Sequence, residues 1–409
     1  MRKRICALAL VSVFVAATAA ASVYRIPEQS YEATAKAGAN IASALSATAS
    51  YYNPANMSWL QNAWHAEADF TYIHLSSVKY TDAGTSMFSG SSEEENFLLP
   101  AIFAVSPEYN NLHFGISATT PFGLAKRWDD PYPRTFAEKF TLKVYEVNPS
   151  ASYKINTYLS VAGGVRLLYS TGEVVSNGYV ADGITAGRSM EGDETAWGYN
   201  LALSVKPNTK SNISATYRSN VDLDLEGDAT LFTNYGGTTI NTKGTVEVNA
   251  PAVLSLSGSY LFFDKLTIDL TWDRTFWSEF EDFDFNYDDP ISNPVLYSAF
   301  DAAIARNWKD SNGYRISFSY RMNDMLDLMA GFAYDETPIP EKTLGFELPD
   351  SDAYIFSAGA RFNLSSRLSL GLGVLYHQLN PREVDNGIVD GEFKDGSALL
   401  ITSGFSYTF

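Results

Sequence analysis

The sequence predicts an all-β protein: a fourteen-stranded antiparallel transmembrane β-barrel with a small N-terminal helical or irregular plug in its lumen. Three observations predict it. From Ala63 to Phe409 the chain falls into segments that alternate, residue by residue, between apolar and polar side chains, the pattern of a strand with two unlike faces. The connections between those segments alternate between short turns and long loops. Ser22 to Leu60, in contrast, is rich in Ala and Ser and shows no two-residue alternation, which suits short helical turns packed against a surrounding wall.

The extreme N-terminus assigns the compartment. Arg2, Lys3 and Arg4 form a basic patch, Ile5 to Ala17 an apolar run, and Ala19-Ala20-Ala21 a small-residue cleavage site. Residues 1–21 therefore read as a secretory signal peptide. A membrane anchor is the alternative, but the run is short and ends in small residues. The single cysteine, Cys6, lies within this segment, so the remainder has no disulfide, thiolate metal site or cysteine nucleophile. Formal charge is −18, and without the three basic residues of the leader 26 basic stand against 47 acidic residues, or −21. That balance excludes nucleic acid as an expected partner. No cofactor or metal is expected.

The plug is expected over 22–62, followed by the barrel over 63–409. Asn53-Pro54-Ala55 stands near the end of the plug, where proline fixes φ and withdraws a backbone donor. The candidate strands are 63–80, 97–107, 112–120, 140–155, 159–175, 195–206 and 211–225, then 245–262, 266–280, 312–322, 326–334, 353–363, 368–378 and 397–409. Short turns such as Asn156-Thr157 and Asp264-Lys265 alternate with long loops at 81–96, 121–139, 176–194, 226–244, 281–311, 335–352 and 379–396. That is the plan of an outer-membrane barrel, and a β-sandwich has no reason to sort its loops by length. Aromatics form 14% of the chain, with 25 Tyr and 25 Phe, enough to furnish interfacial girdles. The chain closes on Phe405, Tyr407 and Phe409, similar to the terminal signal that the barrel assembly machinery reads. A multi-pass, monomeric protein of the Gram-negative outer membrane is expected, in contact with its lipid and lipopolysaccharide.

The loops carry carboxylates, including Glu93-Glu94-Glu95 and Asp129-Asp130, which either solvate the surface or bridge divalent ions to lipopolysaccharide. Two loops are greasier than exposure warrants. Loop 121–139 holds Phe122, Leu124 and Trp128; loop 281–311 holds Leu296, Phe300, Ile304 and Trp308 at four-residue spacing, a helical stripe. Such residues could capture a hydrophobic ligand or pack loops on each other. Parity places Arg166, Arg218 and Arg315 in the lumen, where each could hold a carboxylate ligand by its bidentate fork or pair with lumenal carboxylates such as Glu67 or Asp69. Tyr24 and Ile26 could line an inner pocket.

Taken together, these segments resemble the FadL/TodX family of outer-membrane transporters for long-chain fatty acids and other hydrophobic compounds. Asn53-Pro54-Ala55 matches the NPA motif of that family's N-terminal hatch. Thr120-Pro121-Phe122-Gly123-Leu124-Ala125, Thr275-Phe276-Trp277-Ser278-Glu279-Phe280, Gly331-Phe332-Ala333-Tyr334-Asp335 and Thr337-Pro338-Ile339-Pro340 resemble further family segments, in order. The resemblance implies passive transport: capture among the outer loops, binding inside, and lateral release beside a kinked third strand after the N-terminus shifts. Gly115, Pro121 and Gly123 offer local means for that kink. Uptake of aromatic or alkane hydrocarbons by the same route is the alternative cargo, and a loop-displaying adhesion barrel the alternative class.

An enzyme is not expected. His65, Glu67 and Asp69 share one face of the first strand, but a polar barrel lumen accounts for them. His74, His113 and His377 have no ligand spacing, and the chain contains no G-x-S-x-G, H-E-x-x-H or Walker-type loop.

Overall fold

A computed structural model describes residues 23–409 except Glu281 and Ala303; the side chains of Asp282, Phe283 and Ile304 also fall outside the description. The expected signal peptide, 1–21, and Ser22 lie outside the described residues. Fourteen strands form the wall. The first seven are β1 (His65–Leu75), β2 (Glu95–Val105), β3 (Leu112–Arg127), β4 (Lys139–Lys154), β5 (Leu159–Ala181), β6 (Ile184–Asn208) and β7, in two halves, Ser211–Arg218 and Val221–Thr233. The rest are β8 (Thr238–Ala250 and Val253–Phe262), β9 (Leu266–Thr275), β10 (Ser311–Arg321), β11 (Leu326–Asp335), β12 (Ala353–Asn363), β13 (Leu368–Leu379) and β14 (Ser397–Thr408). Their pairings are antiparallel, and β14 pairs with β13 on one side and with β1 on the other, from His65↔Thr408 to Leu75↔Ala398. The sheet thus closes, so the wall has no terminal edge strand to leave unpaired in lipid.

The outer face carries the membrane band. On β6, Trp197, Tyr199, Leu201 and Leu203 are exposed, while Asn200, Ala202 and Ser204 between them are buried in the lumen. Among the described residues no helix is long and apolar enough to cross a membrane; the crossing is made by strands.

Two expected loops are strand instead. Segment 176–194 continues β5 and β6 to a tight turn at Asp182-Gly183, where Gly183 takes φ +71°, a left-handed value that glycine adopts without strain. Segment 226–244 likewise extends β7 and β8 to 233 and 238. Side-chain parity is unchanged through β5 and β6 and shifts by one residue at the breaks 219–220 in β7 and 251–252 in β8, and in all four upper walls polarity inverts. Glu191, Asp193, Asp222 and Asp224 point outward, and Met190, Leu223, Leu225, Val246 and Val248 point inward and are buried. Beyond the membrane, water replaces lipid outside the wall, and the lumen becomes the apolar side.

Residues 23–60 fill the lower lumen. They form α1 (Tyr31–Ala35), α2 (Ala49–Tyr52) and a 3₁₀ helix, Pro54–Trp59. The Ser30 hydroxyl caps α1 by accepting from the Ala33 N–H, and Asp69 of β1 accepts the Tyr31 N–H at 2.9 Å. The wall makes room for α1 with glycine: a Cβ on Gly371 of β13 would lie 2.1 Å from the Tyr31 ring, and one on Gly373 2.4 Å from its carbonyl oxygen. Asn53-Pro54-Ala55 ties the segment to the wall. The Asn53 amide donates to Ser214 of β7 (2.9 Å) and its oxygen accepts from Ala55 N–H (3.1 Å). Pro54 opens the 3₁₀ helix, where its missing donor costs nothing, and the Ala55 carbonyl accepts from Ser160 of β5 at 2.7 Å.

Candidate functional site

The wall is incomplete between β2 and β3. Those strands pair over four residues only, Ile102↔Ala118 to Val105↔Gly115. They meet again beyond the gap, where Glu93 N–H donates to Arg127 O at 2.9 Å and Arg127 holds Glu95 in a fork at 2.6 and 3.0 Å. In between, 97–101 and 119–125 have no mutual register among the described residues. The cause sits in β3: its ladder to β4 shifts between Thr119 and Phe122, at Thr120-Pro121, where proline has no N–H to give. Gly115 lies outside this break, in the regularly paired part. A Cβ there would lie 2.5 Å from Met57 Sδ, so its smallness admits the plug and does not kink the strand.

The free edge of β3 is taken up from inside by the N-terminal segment. Ile26 N–H donates to Pro121 O, and Gly123 N–H to Tyr24 O, both at 2.8 Å. The Gln29 carboxamide accepts from Thr120 N–H and donates to Thr120 O, both at 2.9 Å. Arg25 and Phe122 face each other in an antiparallel bridge. Residues 24–29 thus stand in for the missing strand, and Ile26 is buried against Phe97 and Leu99 of β2 and Ala125 of β3. Glu28, in the same segment, is buried; loss of hydration pushes its carboxyl up to about 7, against the pull of Arg315.

Above this latch lies a narrow apolar cavity. Tyr24, Leu124, Met190, Val246, Phe280 and Trp308 contribute to its lining, with Arg306 and Glu347 as its charged groups, paired to each other at 2.5 Å. The Tyr24 ring packs edge-on to Trp277 at 4.8 Å and is capped by a 2.5 Å bond to Asn249 O.

The residues expected to capture ligand do not form one surface. Leu124 and Trp308 line the inner cavity, and Phe122 packs on Tyr24 (6.2 Å). Phe122 and Leu124 belong to β3, which runs to Arg127, and not to an outward loop. Trp128 is fully buried, its indole N–H bonded to Phe346 O at 2.8 Å. The stripe in 281–311 is not one helix. Leu296 and Phe300 occupy short helical turns ending at Asp301 and pack with Leu231 and Ile291, while Trp308 turns to the cavity. Ile304 lies in a two-residue strand, and its side chain is outside the described residues.

Arg166, Arg218 and Arg315 are lumenal and buried or nearly so, but they are engaged with carboxylates. Arg166 reaches Glu146 at 2.8 Å and Ser219 O at 2.7 Å, and Arg218 holds the other oxygen of Glu146. Arg315 contacts Asp273 at 3.0 Å, both oxygens of Asp335 at 2.9 Å and Ala37 O at 3.0 Å. Glu67 and Asp69, the partners expected from parity, instead face the plug; Arg166 and Arg315 choose carboxylates on neighbouring strands, and Arg218 reaches from β7 to Glu146 on β4.

A family model described as outer membrane protein transport protein (OMPP1/FadL/TodX) matches residues 12–409. Outer membrane protein P1 of Haemophilus influenzae is 25% identical over 309 residues, covering 68% of this chain and 65% of that protein; the chain thus spans just under two thirds of that relative's length. The long-chain fatty acid transport protein of Escherichia coli O6:H1 is 23% identical over 355 residues, 76% of this chain and 77% of that one. A Pseudomonas aeruginosa FadL homologue shares the fold at TM-score 0.83 and 20% identity, covering 94% of this chain and 99% of that chain. The Pseudomonas putida toluene transporter TodX does so at TM-score 0.74 and 17% identity, over 95% and 100%. With the family model matching nearly the whole sequence, the chain belongs to the FadL/TodX family of Gram-negative outer-membrane transport proteins.

Proposed function

We propose that this protein moves long-chain fatty acids or related hydrophobic molecules passively across the outer membrane, releasing them sideways into the bilayer between β2 and β3. The observation that carries the reading is the placement of an apolar cavity directly against a gap in the wall that, among the described residues, the N-terminal segment closes. In the proposed cycle, residues 1–21 have been removed and 22–62 act as the hatch of a barrel formed by 63–409. Cargo entering past the outer loops occupies the cavity beside Tyr24. Displacement of Tyr24 and Ile26 frees the edge of β3 at Pro121 and Gly123 and opens the route to lipid. Each methylene that stays out of water is worth about 0.8 kcal/mol, so a route from apolar cavity to bilayer spares a long chain the aqueous periplasm. Arg166, Arg218 and Arg315 hold the hatch and wall together in this reading and do not bind cargo. Asn53, Pro54 and Ala55 anchor the hatch, and the terminal Phe405, Tyr407 and Phe409 serve assembly of a monomeric barrel.

Aromatic hydrocarbons are a second cargo. The nearly uniform apolar lining suits them, and one structural relative is a toluene transporter. The test is uptake of labelled oleate and labelled toluene by Gram-negative cells lacking their own transporter, with and without this protein. Oleate uptake supports the lead reading and toluene uptake alone the second. Neither, from correctly inserted protein, refutes both and leaves a display barrel.

A further inference from the structure

A second cavity lies outside the first, and Phe140, Arg306, Thr343, Gly345 and Glu347 line both. The two are therefore contiguous, the outer one opening among α3 (Pro131–Ala137) and the long loops. Its charged lining is three cations, Arg188, Arg306 and Lys342, against one carboxylate, Glu347, in a chain of formal charge −18. Arg306 is matched to Glu347, and Lys342 is exposed to water.

Arg188 is in neither situation. It stands on the upper part of β6, 6% exposed, with its guanidinium 3.6 Å from the ring centre of Phe285 and 5.2 Å from that of Phe300. Among the described residues no carboxylate lies within ion-pair distance of it, and its Nε is buried with no hydrogen-bond acceptor. The buried hydroxyl of Tyr287 neighbours the guanidinium as a neutral hydrogen-bonding partner and brings no countercharge. The aromatic faces hold the guanidinium plane by cation–π attraction, but they satisfy no N–H. A buried charge with an Nε–H that has no acceptor is costly as it stands, and an anion entering the cavity answers both at once.

We infer that Arg188 receives the carboxylate of an incoming amphiphile, while its hydrocarbon tail extends toward the apolar cavity at Tyr24. This rests on the transport reading above and narrows its cargo to anionic amphiphiles over neutral molecules of the same chain length. Arg188 is then a specificity-determining residue at the entrance.

The test is equilibrium binding of labelled oleate and labelled oleyl alcohol to the purified full-length protein in nonionic detergent. Wild type, Arg188→Gln and Arg188→Lys are compared, with folded barrel verified for each. The expected result is that Arg188→Gln weakens oleate binding about tenfold to a hundredfold, the usual range for losing a hydrogen bond to a charged group. Oleyl alcohol binding stays unchanged, and Arg188→Lys falls between wild type and Arg188→Gln for oleate. An unchanged oleate affinity in Arg188→Gln, or an equal loss for both ligands, overturns the assignment and leaves the transport reading standing. Wild type that binds neither ligand overturns both.

Discussion

Truncating one side chain of the latch tests whether it is the N-terminal segment that seals the wall. Gln29 donates to Thr120 O, accepts from Thr120 N–H and also donates to Ile26 O at 2.8 Å. The ladder from β3 to β4 skips Thr120 and Pro121, so no β4 partner is available to take these groups over. Gln29→Ala strands one donor, Thr120 N–H, and two acceptors, the carbonyls of Thr120 and Ile26, in a buried site, at about 1–3 kcal/mol each. Water that follows the opening recovers part of that, leaving about 2–3 kcal/mol off the free energy that holds the latch shut. Exchange of the Gly123 amide, bonded to Tyr24 O, requires latch opening and should accelerate about 30- to 150-fold. Hydrogen–deuterium exchange on a peptide spanning 112–127, with one from β10 as internal control, reads this directly. Unchanged exchange in β3, or an equal acceleration in β10, would refute the reasoning, because the loss would then be absent or global.

Two further outcomes follow from buried charge. Arg315→Met leaves Asp273 and Asp335 buried without their main partner and should lower stability by about 3–5 kcal/mol, seen as a lower urea midpoint for the folded band; Asp335→Asn in the same chain should restore part of the loss. Glu28, with its folded pKa of about 7 above the ordinary 4.5, binds its proton more tightly in the folded protein than in the unfolded chain. Its contribution is therefore best below about pH 4.5, falls as pH rises to about 7 and is level above, a span of ~3 kcal/mol. Glu28→Gln should remove this decline, raising the urea midpoint at pH 8 more than at pH 5; an equal shift at both values contradicts it.

Much of the fold was legible because a lipid-facing strand needs alternation, and β10 and β13 carry it without interruption. Strand number and antiparallel closure came through for that reason, and the plug because its small residues lack that alternation. The upper walls of β5 to β8 did not, because above the membrane polarity inverts, and in β7 and β8 the inward register also shifts by one residue: Asp222 and Asp224 outside, Leu223 and Leu225 inside. Reading parity without a fixed polarity would have found them, and with them Met190, Val246 and Val248 of the cavity. The partners of the lumenal arginines were hidden for another reason. Glu146, Asp273 and Asp335 sit across the wall by register, which a single strand's pattern does not contain. Gln29 carries no motif at all; its importance arises from the unpaired Thr120 opposite it.

The central claim is that cargo leaves through the gap that residues 24–29 cover. Arg25 and Phe122 face each other across it, and beyond the expected leader the chain has no cysteine of its own. An R25C/F122C chain can therefore be locked by oxidation and released by reductant without side reactions. Labelled oleate uptake should be abolished in oxidised cells, return on reduction, and be insensitive to redox in wild type. Uptake at the wild-type rate through the oxidised double variant, with the cross-link verified, would contradict lateral release past the latch.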